Sequence, residues 1–142
     1  MNIQKNKDVK FGSKNEKKIQ PILEEHFKLK LQKAKDKYAV YDYFTEDKKI
    51  YFELKSRRIY KNQYRDVMVG ANKIKKGLKL IDGGCDVYIC WKFTDKLCYY
   101  KIDKDTLKEE WKREGGRWDR GADEVNMMYF IPTDKMIDII DF

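Results

Sequence analysis

The chain is 142 residues long, enough for one domain with a single core but not for two, and it is read as one domain over 1–142. Charged residues make up 39% and hydrophobic residues 42%, a balance that excludes wholesale disorder, and no run approaches the roughly 20 apolar residues that cross a bilayer. The net charge of +8 favours an anionic polymer as partner over an acidic protein surface, although a solvated, lysine-rich surface gives the same total.

Cys85, Cys90 and Cys98 form no CxxC pair and have no neighbouring histidine, so a structural zinc site is excluded and the thiols are expected to be reduced and mostly buried. The first residues are polar and lack the apolar stretch of a secretory leader, which gives an intracellular setting as the expectation.

Residues 1–11 read as a short basic arm, after which Gly12 and Ser13 open a helical pattern with Ser13 as N-cap. Ile19, Ile22, Leu23, His26 and Phe27 recur at helical spacing, which places His26 as a partly buried helix residue. Pro21, lacking a donor to residue i−4, is expected to bend or restart this helix.

The β-branched and aromatic runs from Tyr38 to Phe44 and from Ile50 to Ser56, separated by the polar turn Thr45 to Lys49, predict a hairpin. Leu29 to Lys33 precedes it as a candidate edge strand. After a basic and aromatic stretch, the segment ending in Val67, Met68, Val69 and Gly70 leads into a helical pattern through Ile74, Leu78 and Ile81 that Gly83 and Gly84 stop.

A second hairpin follows as 87–94 and 97–103 with a turn at Thr94, Asp95 and Lys96. A short helical piece around Leu107 and Trp111 precedes a glycine-rich charged loop. A strand from Asn126 to Ile131 then passes Pro132 into an apolar tail, Met136 to Ile140. The predicted architecture is α/β (α+β), with one mixed central sheet flanked by helices in the order α-β-β-(β)-α-β-β-β.

The first hairpin carries the chemistry. A two-residue turn at Asp47 and Lys48, or a four-residue one over 46–49, pairs residues whose numbers sum to 95 and sets Asp42 opposite Glu53. Lys55 shares that face, while Ile50, Phe52 and Leu54 make the other, apolar one. Opposed carboxylates repel unless a cation sits between them, and magnesium or manganese takes oxygen ligands from one or two carboxylates together with water and phosphate. Lys55 then orients or deprotonates the attacking water and offsets transition-state charge. The competing reading is a surface hairpin with ordinary solvated charges, since ExK is a common triplet.

Asp42, the turn and Glu53-Leu54-Lys55 resemble the PD-(D/E)xK nuclease superfamily of restriction endonucleases, Holliday-junction resolvases and phage or viral nucleases. The resemblance spans about Gly12 to Trp91 and implies a restriction endonuclease-like core: a helix, a three-stranded meander, a second helix and a further strand. It implies metal binding by Asp42 and Glu53 with Lys55 assisting catalysis.

It further implies a helix-one glutamate contacting the metal, for which Glu16 is the candidate, although Ser13 and Glu16 equally form a capping box. A second-helix lysine is also implied, for which Lys73 is the candidate, although it equally reads as one of several exposed lysines. Tyr41 stands where the family name has proline.

Arg57, Arg58, Lys61 and Arg65 are interleaved with Tyr60 and Tyr64 right after the catalytic strand, which suits them to grip a phosphate backbone. The tyrosines either stack on splayed bases or pack inward. The Arg113 to Arg120 segment, with Gly115, Gly116 and Trp118, reads as a flap, a DNA-contacting wedge or a plain surface loop.

The expected function is magnesium-dependent endonucleolytic hydrolysis of DNA. The alternatives are a non-catalytic nucleic-acid-binding module of the same fold, or an RNA-directed nuclease. A homodimer through an exposed aromatic hairpin at 87–100 is a further expectation.

Overall fold

Ile19 and Leu23 lie one helical turn apart and are fully buried, and this spacing defines the inner face of the first helix, α1, described over 17–27. The computed structural model describes residues 17–36, 39, 41–116 and 125–142. Glu16, the arm at 1–11 and the tip of the glycine-rich segment at 117–124 fall outside them. Helix α1 is continuous through Pro21, so the expected restart does not occur. Lys17 and Pro21 are both exposed, so the carbonyl that loses its donor meets water and the helix has no need to break.

Lys28 ends α1 in the left-handed region at φ 55°, and the Leu29 N–H reaches back to the Glu24 carbonyl at 3.2 Å. A β-carbon is strained there, so Lys28→Gly is expected to stabilise the protein by about 0.5 kcal/mol, read as a higher midpoint in urea. A lower midpoint would show that the lysine side chain contributes more to the folded state than its backbone strain costs.

Side chains of α1 then hold the next segment in place. Gln20 Nε2 donates to the Leu31 carbonyl and Glu24 Oε2 accepts the Leu31 N–H, both at 2.9 Å. Strand β1 (Gln32–Lys33) follows and pairs antiparallel with β2 (Tyr43–Phe44), which pairs antiparallel with β3 (Ile50–Ser56). Of the expected strand from residue 38, Tyr38 and Val40 lie outside the described residues, and among the described ones only Tyr43–Phe44 is extended in the sheet.

The β2–β3 register, Tyr43 to Phe52 and Phe44 to Tyr51, is the one in which pairs sum to 95. Thr45 closes the four-residue loop: its N–H donates to the Ile50 carbonyl at 3.0 Å, and its Oγ1 accepts from the Lys49 and Ile50 N–H groups.

Strand β4 (Asp66–Gly70) leads into helix α2 (Ala71–Asp82). Gly84 at φ 95° supplies the left-handed residue that ends α2, and the Cys85 N–H returns to the Leu80 carbonyl at 3.0 Å. Strand β5 (Asp86–Lys92) is parallel to β3, pairing Glu53 with Ile89 and Lys55 with Trp91. A tight turn, closed by the Phe93 N–H on the Lys96 carbonyl, joins β5 to β6 (Lys96–Lys101).

The expected apolar tail is a strand, β9 (Ile137–Asp141), which pairs with β6 and completes a six-stranded sheet ordered β1-β2-β3-β5-β6-β9. The expected single sheet is joined by a second one, in which β4 pairs with β8 (Val125–Pro132) and β8 with β7 (Lys112–Gly116). Strand β7 contains Gly115 and Gly116, which the sequence places in a loop. The expected short helical piece takes the form of two 3-10 turns, Lys104–Leu107 and Glu109–Trp111.

The six-stranded sheet separates two apolar clusters. Ile19 and Leu23 pack with Tyr43, Phe52, Leu54, Cys90 and Leu97 on the α1 side. On the other side, α2 and the second sheet gather Val67, Val69, Ile74, Val87, Ile89, Trp91, Phe93, Tyr129 and Ile131. The 87–100 hairpin therefore lies largely inside the fold, with Val87, Ile89, Cys90, Trp91, Phe93, Leu97 and Cys98 buried, and is not the exposed dimerisation surface expected from its composition. Among the described residues, no helix is long and apolar enough to cross a membrane.

Candidate active site

Alternation along β3 sorts its side chains: Phe52 and Leu54 enter the α1 cluster, so Glu53 and Lys55 point to the α2 side. Asp42 immediately precedes β2, and continuing the register by one pair sets it opposite Glu53. The Asp42 Oδ2 accepts the Leu54 N–H at 2.8 Å, a charge-assisted bond that fixes the carboxylate at the backbone between Glu53 and Lys55.

Helix α2 contributes the fourth group. Lys73 Nζ lies 3.2 Å from Glu53 Oε2, with both side chains mostly buried, so Lys73 belongs to the cluster and is not one of several exposed lysines. Tyr41, which the sequence singles out only as the missing proline, turns out to carry α2. Its hydroxyl donates to the Lys73 carbonyl at 2.7 Å, and the Lys73 amine lies 5.3 Å from its ring centroid. Burial, with the Glu53 charge adding, pushes the Tyr41 hydroxyl above its ordinary range, so it stays a donor.

The half-buried Lys55 amine is the perturbed group. Burial pulls it from the ordinary 10.5 down to about 8; Glu53 opposes this, Arg57 and Lys73 reinforce it, and Asp42 opposes it more weakly. Asp42, Glu53, Lys55, Arg57 and Lys73 thus share one electrostatic neighbourhood.

The Cys90 thiol beneath it is pushed up by burial and then by Glu53 and Asp42, so it stays protonated and offers no nucleophile. His26 is exposed against Phe27 and Tyr99, in place of the partly buried setting expected, and takes no part in this cluster. All three cysteines are free.

The basic segment after β3 divides. Arg57 donates from Nη1 to the Ser56 carbonyl and from its backbone to the Lys92 carbonyl, which holds it at the rim. Arg58 and Arg65 are exposed. Lys61 is turned away, its Nζ 2.6 Å from Asp138 Oδ1 and its side chain only 11% exposed, so it is committed to a structural ion pair and not offered to a phosphate. Tyr60 and Tyr64 are 58% and 57% exposed, which decides against inward packing.

Arg113 is likewise on a strand and not in a loop: its Nη2 lies 2.6 Å from Asp66 Oδ2 and its guanidinium 3.9 Å from the Phe130 ring centroid. The flap or wedge expected at 113–120 thus begins on ordered β7, and its remainder lies outside the described residues. So does Glu16.

Among the described residues, no group of three or more His, Cys, Asp or Glu side chains converges as a metal cluster. The Asp42 and Glu53 pair still fits a hard divalent cation, which needs only one or two carboxylates beside water and phosphate. Lys73 on Glu53 shows the same preference for a positive charge at this point.

Among curated proteins, none matches the chain. The family model described as "Phage putative PDDEXK endonuclease" matches residues 7–139, a span that includes Asp42, Glu53, Lys55 and Lys73. With a six-stranded mixed sheet and helices consistent with a restriction endonuclease-like core, and a match over nearly its whole length, the chain belongs to this phage PDDEXK endonuclease family.

Proposed function

We propose that the protein is a magnesium- or manganese-dependent endonuclease that hydrolyses phosphodiester bonds of DNA, with Asp42 and Glu53 as the metal-holding carboxylates. The observation that carries this reading is the convergence on one hairpin face of Asp42, held by the Leu54 N–H, with Glu53 and a Lys55 amine depressed to about 8. A bound divalent cation would supply Lewis-acid charge at the scissile phosphate.

Lys55 supplies the proton chemistry. With a pKa near 8, roughly a tenth of the amine is neutral at pH 7 and able to accept a proton from attacking water; its protonated form offsets charge on the phosphoryl oxygens. Lys73 balances Glu53 and carries a second positive charge on the same face. Arg57 at the rim, with Arg58 and Arg65 beyond it, supplies contacts for flanking phosphates.

The test is incubation with supercoiled plasmid, linear duplex, branched DNA and single-stranded RNA, each with magnesium, manganese or chelator. Metal-dependent cutting of DNA, lost by at least about a hundredfold in Asp42→Ala, is the expected outcome. Cutting of RNA alone would reassign the substrate, and binding without cutting under either metal would make the chain a binding module.

A further inference from the structure

Nine residues after the candidate catalytic strand, RRIYKNQYR at 57–65, hold four cations and no acid, and lead directly away from Lys55. The segment is exposed at Arg58, Tyr60, Tyr64 and Arg65, yet its start is pinned at Arg57, Ile59 and Lys61. The Arg57 N–H donates to the Lys92 carbonyl, the Thr94 N–H to the Ile59 carbonyl, and the Lys61 N–H to Asp95 Oδ1, each at 2.9 Å. The Lys61 amine is held by Asp138.

Beyond these anchors the Lys61–Gln63 turn is closed locally, the Gln63 N–H on the Tyr60 carbonyl and the Tyr60 N–H on Gln63 Oε1, and the Thr133 N–H donating to the Arg65 carbonyl at 2.9 Å holds its far side. Tyr60 and Tyr64 flank it, both in extended backbone and both more than half exposed.

Ordering two large aromatic side chains at the surface, on a turn fixed at both ends, leaves more than half of each exposed and uncovered by the fold. A ligand with flat π-faces supplies that cover. The position is close to the chemistry: Tyr60 is five positions on from Lys55, so their Cα atoms are at most about 18 Å apart. That is about five stacked nucleotides along one strand, at roughly 3.4 Å each. The surrounding arginines provide the charge that a phosphate backbone requires, and the field of Arg57 already reaches Lys55. Bases inside a duplex present their edges and keep their faces covered, whereas unpaired bases offer faces to aromatic rings.

We infer that Tyr60 and Tyr64 form a stacking platform for unpaired bases beside the cut, so that substrates with a single-stranded segment next to a duplex are preferred over blunt duplex. The inference rests on the nuclease reading proposed above and assigns its substrate class. Each base stacked on an aromatic ring contributes about 5- to 150-fold in binding.

The experiment compares kcat/KM for a blunt duplex and for the same duplex carrying a single-stranded tail, in magnesium and in manganese. It uses wild type, the double variant Tyr60→Ala/Tyr64→Ala and the double variant Tyr60→Trp/Tyr64→Trp, with thermal melts to establish that all three are folded. The expected result is a wild-type preference for the tailed substrate of at least about tenfold, collapse of that preference in the alanine variant, and its retention in the tryptophan variant. A wild type that cuts both duplexes equally, or an alanine variant that keeps the preference, overturns the platform while leaving the nuclease reading intact. A wild type that cuts neither, with either metal, overturns both.

Discussion

Lys55→Met is expected to reduce cleavage by at least about a thousandfold and, at neutral pH, to make the folded protein more stable. The loss of activity follows from removing an amine that is both partly buried and flanked by the two carboxylates. The gain in stability follows from the same burial. An amine that titrates at 10.5 in the unfolded chain and near 8 when folded carries a penalty for its charge.

Between those two values the unfolded chain holds the proton and the folded one does not, so unfolding takes up a proton and raising the pH favours the fold. The penalty is therefore full below pH 8 and gone above 10.5. The interval corresponds to roughly 3 kcal/mol as an upper bound, because the group keeps some solvent contact. The carboxylates also lose a cationic neighbour in the variant, so a net gain of about 1 kcal/mol at pH 7 is expected, shrinking as the pH approaches 10.5. Urea melts at pH 7 and pH 10 measure it; a variant less stable than wild type at pH 7 would show that Lys55 is held by its carboxylate neighbours more than it is penalised by burial.

The second large effect lies under the helix. A β-carbon on Gly77 would sit 2.6 Å from the Tyr41 hydroxyl, 3.1 Å from Ile102 Cδ1 and 3.4 Å from Val87 Cγ1. Tyr41 is buried and bonded to the Lys73 carbonyl, so its ring cannot swing aside, and α2 must lift instead. Gly77→Ala is expected to cost about 2 kcal/mol even after the better helix propensity of alanine is counted, and Gly77→Leu about 3 kcal/mol or more.

Removing the hydroxyl clears the shortest contact. In a Tyr41→Phe background, Gly77→Ala should therefore cost at least about 1 kcal/mol less, a coupling that a double-mutant cycle reads directly. Strict additivity would mean that the helix yields at Ile102 and Val87 and not at Tyr41. Lifting α2 also withdraws Lys73 from Glu53, so cleavage by Gly77→Ala should fall along with its stability.

The hairpin from Tyr43 to Ser56 is legible in the sequence because its information is local. Alternation along β3 fixes which face is apolar, the turn composition fixes the loop length, and the two together give the register that sets Asp42 against Glu53. The end of α2 is legible for the same reason, since Gly83 and Gly84 act on adjacent backbone.

The second sheet is not legible. Strand β7 has the sequence KREGG, which no propensity marks as extended; it is a strand because β8 pairs with it, and Gly115 lets the Phe130 ring approach to 2.9 Å from where a β-carbon would be. Lys61 is hidden for a related reason. Its partner Asp138 is 77 residues away on β9, itself disguised as an apolar tail, so the basic segment looks uniformly available to phosphate.

Lys73 and Tyr41 show the middle case. Helical spacing alone leaves Lys73 indistinguishable from Lys75 and Lys76, and only the docking of α2 on Tyr41 selects it for Glu53. A glycine in the middle of an otherwise amphipathic helix is the available signal, since such a residue marks close approach to a neighbour.

On the proposed function, Asp42 and Glu53 together hold a divalent cation on which cleavage depends. Titration of manganese into the purified protein, followed by calorimetry, tests it without reference to any nucleic-acid substrate. Saturable binding by wild type is predicted, with a loss of at least about tenfold in affinity in both Asp42→Asn and Glu53→Gln and the fold retained in each. Binding that is equally tight in both variants would place the cation elsewhere and contradict the assignment of these two carboxylates.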